Sequence, residues 1–271
     1  IPNTQYSLRN TMNNMNRIEE LFNKKSQRVL NVYFTAGYPK LNDTVAILES
    51  LEQSGADLIE IGIPFSDPIA DGPTIQESNG IALGNGMTLK LLLEQLEGVR
   101  EKVNIPIVLM GYINPIVQYG IEAFCKKCGE VGVDGLILPD LPMFEYMEVH
   151  KPTFEKHGLL NIFLITPQTS DARIREIDQN SSGFIYMVSS ASTTGAKTGI
   201  SDEQEAYFAR VKAMNLKNPT LIGFGISNKE TFDKACKNAN GAIIGSAFIK
   251  AISQDGEMTE NNNEFIRSVK G

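Results

Sequence analysis

The chain has 271 residues, 42% of them hydrophobic and 21% charged, and no apolar run resembling a membrane span. That is ordinary composition for a globular protein, and the length fits two domains or one large α/β barrel. The formal net charge of −7 argues against nonspecific binding to nucleic acid or acidic membrane, so an anionic substrate would need a local trap.

Three cysteines form no disulfide framework and suit a reducing compartment, so a cytoplasmic location is expected. Cys125 and Cys128 make a C-x-x-C, but zinc would need about four ligands. Cys236, His150 and His157 stand at unhelpful spacings. The pair reads as helix-packing thiols, and no metal is expected.

Residues 1–14 are polar, Asn-rich and without periodicity, which predicts a disordered or vector-derived tail ahead of one domain over 15–271. Residues 16–24 predict a short extra helix with Ile18, Leu21 and Phe22 on one side, able to plug the bottom of a barrel. The first strand is expected over 29–35, ended by Gly37 and Pro39. An amphipathic helix follows over 43–54.

The stretch 58–73, LIEIGIPFSDPIADGP, carries the densest information. It begins as a strand. Side chains alternate faces, so Ile59 and Ile61 share the helix-facing side while Leu58 and Glu60 point the other way. A carboxylate buried in such a run should have a raised pKa, the profile of a general acid or base; the alternative is that Glu60 merely pairs with a buried Arg or Lys. Gly62 and Pro64 end the strand, and a long loop carries Asp67 and Asp71.

Thr88 is expected to cap a helix over 89–103. Strands then follow at 105–110, 133–139, 161–165, 183–189, 219–225 and 242–245, separated by helical patterns at 121–130, 144–156, 171–179 and 201–214. Ser201 with Gln204, and Ser227 with Glu230, read as capping boxes, the second opening a helix through 237. A last helix runs through 252. Eight strands alternating with helices imply a parallel sheet, and at this length a single (β/α)8 TIM barrel. An open doubly wound sheet is the alternative, but no G-x-G-x-x-G follows the first strand.

Barrel sites form at the C-terminal ends of the strands. Besides the Glu60–Asp71 stretch, GFGIS (223–227) and GSA (245–247) bring glycines to helix starts after strands seven and eight, where barrels bind phosphate. The small, polar loop 190–200 reads as a lid, or as a plain disordered loop.

The run Glu-Ile-Gly-Ile-Pro-Phe-Ser-Asp-Pro-Ile-Ala-Asp-Gly-Pro, residues 60–73, resembles the tryptophan synthase alpha subunit family. The resemblance starts near Met15. It implies a (β/α)8 barrel that cleaves indole-3-glycerol phosphate to indole and glyceraldehyde 3-phosphate, without a cofactor in this chain. Glu60 and Asp71 fall on the two catalytic carboxylates, and Gly225, Gly245 and Ser246 on the phosphate-binding positions. Tyr33 and Tyr112 fall where the family lines its indole site, and Thr194 and Gly195 on its closing loop. That loop departs from the usual pattern, with Ser192-Thr193 in place of Gly-Val. The resemblance further implies docking through Asp67, Pro68, Asn114 and Pro115 on a pyridoxal-phosphate beta subunit, in an alpha2-beta2 tetramer. A related phosphate-binding barrel, a stand-alone indole lyase and an inactive allosteric barrel are the rival readings.

Overall fold

The computed structural model describes residues 15–68, 71–189, 201–223, 225–254 and 256–271. The expected tail over 1–14 and the expected lid over 190–200, with Thr194 and Gly195, lie outside them. The strands are β1 (Val29–Thr35), β2 (Leu58–Gly62), β3 (Ile107–Met110), β4 (Gly135–Ile137), β5 (Leu160–Ile162), β6 (Leu164–Ile165), β7 (Ile185–Val188), β8 (Thr220–Gly223) and β9 (Gly241–Ile244). They form one parallel sheet in the order β5-β4-β3-β2-β1-β9-β8-β7-β6. The two ends of that order are consecutive in the chain, separated by Phe163. They are one strand broken in the middle, so the sheet is an eight-stranded barrel and the open alternative is excluded.

Alternation sorts the core into two layers. Val29, Leu58, Val108, Ile137, Leu221 and Ile243 pack together inside the barrel. Ile59, Ile61, Val32 and Leu109 belong to the larger cluster between sheet and helices. Leu58 and Ile59 thus stand on opposite sides, as period-2 alternation requires. The N-terminal helix Arg17–Lys24 is opened by an Asn16–Glu19 capping box. It closes the bottom: Ile18 enters the interior cluster and Phe22 lies 6.1 Å from Phe184, ring to ring.

Several predicted elements need correction. The helix expected over 89–103 stops at Gln95, because Gly98 turns left-handed at φ 73° and only a 3-10 turn follows. The helix around 144–156 widens into a π segment over Tyr146–His150. Pro152 lies just beyond, and a proline ring clashes with the carbonyl four residues earlier. Asn228, not Ser227, caps Lys229–Asn238, and its box partner is Thr231, not Glu230. Helices Pro73–Gly84, Ile113–Tyr119 and Met258–Lys270 were not expected. In the second, Pro115 occupies the first turn, where a missing N–H leaves no bond unmade. Asn114 and Pro115 thus stand in the first turn of that helix.

Candidate active site

Glu60 is 1% exposed, on the inner face of β2. Asn31 Nδ2 donates to its Oε2 at 3.0 Å, while Oε1 has no hydrogen-bond partner among the described residues. Burial pushes its pKa up to about 8; the Asn31 bond opposes that rise and the charge of Asp71 adds to it. Among the described residues no cation contributes to that balance.

The next inward position after Glu60 is Gly62, and Tyr33 lies over it. A Cβ at Gly62 would fall 2.1 Å from the Tyr33 hydroxyl oxygen. Glycine is needed here because the tyrosine fills the space a side chain would take. Tyr186 uses Gly223 in the same way, with its hydroxyl 2.3 Å from the place of a Cβ. Its ionisation is disfavoured by burial, then by Glu60, Tyr33 and Asp71, so it faces the same inner space. The sequence reading passed over Tyr186. The available signal was a tyrosine at an inward position of IYMV, which only registration of β7 within the barrel reveals.

Asp71 precedes helix Pro73–Gly84, which holds it from behind. Gln76 Nε2 donates to the Asp71 carbonyl at 2.8 Å, and Asn79 Nδ2 makes a long 3.5 Å contact to the carboxylate. That helix is fixed to β1 through Ser78 and Thr35, whose hydroxyl oxygens are 2.7 Å apart. Burial lifts the pKa of Asp71 to about 6, against the Asn79 contact. The two carboxyls therefore titrate in separate ranges. Burial raises Glu60 further than Asp71, so the proton is held more firmly on Glu60, the condition for two carboxyls to take different roles.

A cleft at the mouth is lined by Tyr33, Ile63, Asp71, Asn79, Met110 and Tyr112, with Gly111 and Pro139. Tyr112 stacks at a tilt on Phe65, centroids 4.9 Å apart. The fold thus brings Tyr33, Tyr112 and Asp71 together. Glu60 lies one inward step deeper on β2 than Gly62, over which the Tyr33 ring sits.

Gly223 pairs with Ile243 in register, so β8 and β9 deliver Gly225 and Gly245 to the same end of the barrel. Gly225 is exposed and left-handed, φ 75°. Gly245 abuts Tyr33, with a Cβ position 3.4 Å from Cδ1 of the ring. The two glycine turns differ. The side chains of Asn228 and Thr231 accept the N–H groups of Ser227, Asn228 and Thr231 at the start of helix Lys229–Asn238, whereas Gly245 offers helix Ser246–Ile252 no side-chain cap. Ser246 is exposed at that end. Asp67 is exposed and bonded to Ser66 at 2.5 Å, and Asn114 is exposed; Pro68 and Pro115 are half-buried. Among the described residues, no group of three or more His, Cys, Asp or Glu is placed to hold a metal, and no helix is long and apolar enough to cross a membrane.

Carboxyls gathered at the C-terminal mouth of a closed parallel barrel mark the (β/α)8 enzymes as a class, and this chain falls within it. A family model described as Tryptophan synthase alpha chain matches residues 20–270. The chain is 62% identical to a tryptophan synthase alpha chain of Flavobacterium johnsoniae, over 94% of its own length and 100% of the relative's. It is 58% identical to that of Christiangramia forsetii, over 94% and 99%. Among solved structures, tryptophan synthase subunit alpha from Legionella pneumophila superposes with a TM-score of 0.85 at 35% identity, covering 94% of this chain and 97% of the other. The A-subunit from Pyrococcus furiosus gives 0.82 at 36%, covering 90% and 98%. The chain belongs to the tryptophan synthase alpha chain family, lyases of tryptophan biosynthesis that cleave indole-3-glycerol phosphate.

Proposed function

We propose that this chain, as one domain over 15–271, splits indole-3-glycerol phosphate by a retro-aldol reaction in which Glu60 moves the proton and Asp71 steadies the charge. Neutral Glu60 protonates C3 of the indole, and the ring nitrogen takes up positive charge. Asp71 accepts the N–H hydrogen bond of that nitrogen. The carboxylate left at Glu60 then removes the proton from the hydroxyl on the carbon attached to C3. The carbon–carbon bond breaks, its electron pair returns to the ring, and the hydroxyl carbon becomes the aldehyde of glyceraldehyde 3-phosphate. Glu60 ends the cycle protonated, as it began. The observation that carries this reading is the buried, half-satisfied Glu60 carboxyl beneath a cleft that Asp71 enters from the side.

Tyr33 and Tyr112 form the apolar walls for the indole. Gly225, Gly245 and Ser246 hold the phosphate, the open start of helix Ser246–Ile252 supplying backbone N–H groups and a favourable dipole. Thr194 and Gly195 belong to the closing loop. No step calls for a cofactor in this chain.

The product indole is neutral and apolar and would escape across membranes, so a cytoplasmic lyase gains by passing it directly to the next enzyme. The partner is a pyridoxal-phosphate beta subunit docked on the mouth through Asp67, Pro68, Asn114 and Pro115, in an alpha2-beta2 tetramer. Docking there touches the loop that leads to Asp71. A coupling of ~1–3 kcal/mol would accelerate cleavage by roughly 5–150-fold. Indole release measured against beta-subunit concentration tests this: Asp67→Ala should lose the acceleration and keep the basal rate. Equal loss of both would place Asp67 in the chemistry instead of the contact.

A further inference from the structure

Inward positions of the barrel strands are mostly apolar, among them Val29, Leu58, Val108 and Ile243. Asn31 breaks that pattern. It is fully buried on β1, paired in register with Leu58, one inward step below Glu60. Its Nδ2 reaches Glu60 Oε2 at 3.0 Å, but its Oδ1 has no partner among the described residues. An orphaned amide oxygen in the interior is destabilising. Leucine, with the same number of heavy atoms, would fill the place without that penalty. A costly amide kept against Glu60 directs attention to what it does there.

A proton shuttle passes through both of its forms in every turnover. A lysine or arginine neighbour offers donors alone and would hold Glu60 ionised. A carboxylate or main-chain carbonyl offers acceptors alone and would hold it neutral. A primary amide donates without carrying a charge, so it can bond either form of the carboxyl. We propose that Asn31 is a positioning residue for Glu60: Nδ2–H donates to Oε2 of the carboxylate and equally to Oε2 as the carbonyl oxygen of the neutral acid. With Oε2 held in both forms, the acid proton is carried and transferred on Oε1, the oxygen without a partner among the described residues. The proposal rests on the reading of Glu60 as the shuttle. The other titratable groups facing Glu60 are Asp71 from the following loop, Tyr33 on β1 and Tyr186 on β7. The Asn31 bond is the interaction that draws Glu60 back toward the ordinary carboxyl range, against burial and Asp71.

The test uses the full chain, with steady-state cleavage of indole-3-glycerol phosphate and a 13C NMR titration of the Glu60 carboxyl. Asn31→Leu should lower kcat about 10–100-fold, the size of a lost hydrogen bond to a charged group. KM should move by less than about twofold, since the bond acts on the chemistry and not on binding. The Glu60 titration should move to higher pH. Asn31→Thr should recover part of both effects relative to Asn31→Val, which has the same shape without the hydroxyl; this pair also carries the test if the Leu variant fails to fold. Added to Glu60→Gln, Asn31→Leu should cost nothing further. Wild-type kcat and titration in the Leu variant, with Glu60→Gln inactive, would overturn the role of Asn31 alone. An active Glu60→Gln would remove the shuttle itself, and this proposal with it.

Discussion

Two buried carboxyls, one at each end of the barrel, have opposite surroundings. Asp134, 3% exposed just before β4, receives Arg17 on Oδ1 at 2.9 Å. Its Oδ2 takes Arg100 at 2.6 Å and the N–H of Ile107 at 2.8 Å. Glu60, 1% exposed, has a single amide donor on one oxygen and none on the other. A buried anion with two guanidinium partners is fixed in charge and geometry, and it ties the N-terminal helix to the ends of β3 and β4. A buried carboxyl with half a hydrogen-bond shell changes its charge easily. Burial alone does not separate these two carboxyls; the set of partners does.

The contrast can be broken from either side. Glu60→Gln keeps the shape of the side chain and one donor-acceptor contact to Asn31, so the barrel should fold. Turnover of indole-3-glycerol phosphate should fall by at least 10²–10⁴-fold, roughly the loss expected for a general acid–base group. Retention of a tenth of wild-type turnover would refute the assignment. Asp134→Ala should do the reverse. It strands Arg100 near the base of the barrel and should cost about 3–5 kcal/mol of stability, read from urea unfolding. Turnover per folded molecule should stay unchanged, because the site lies at the far end.

The third expectation sharpens the comparison through pH. Glu60 has a folded pKa raised to about 8, so the native state keeps a proton that the unfolded chain has already lost. Stability should therefore be fullest below the ordinary carboxyl range and fall as pH rises toward 8, by about 1.4 kcal/mol per unit from this group. Asp71, raised to about 6, adds the same trend over a shorter span. Unfolding of Glu60→Gln followed from pH 5 to pH 8 should show a shallower decline than wild type. Parallel curves would mean that the buried carboxyl does not hold its proton in the folded state.

The part of the site written as one contiguous run was legible. Alternation alone put Glu60 opposite Ile59 and Ile61, and the glycines and prolines after it located the loop bearing Asp71. The groups that set the properties of those carboxyls were not. Asn31 reaches Glu60 from a neighbouring strand, Tyr186 comes from across the barrel, and Asn79 comes from a helix that the sequence presented as loop. That helix, Pro73–Gly84, contains two glycines and an asparagine, and its weak pattern is overridden by packing on β1 and helix Ser246–Ile252. The glycines at 223 and 225 looked alike as phosphate-loop residues, yet Gly223 is required by the ring of Tyr186 while Gly225 stands open.

What the sequence determined by itself was therefore local and periodic: strands whose faces alternate, helices with caps and stripes, and the order of elements that makes a parallel sheet. Closure of the barrel was decided only in three dimensions, where β5 and β6 proved to be one interrupted strand joining both ends of the sheet. Closure also decided that the pKa of Glu60 is pushed up so far. A pKa depends on how much water is removed and which dipoles remain within hydrogen-bond reach, and both are set by residues far apart in the chain. Glu60 and Asp134 are each carboxyls beside apolar runs in the sequence. Only the fold gives Asp134 two guanidinium groups, and Glu60 one amide.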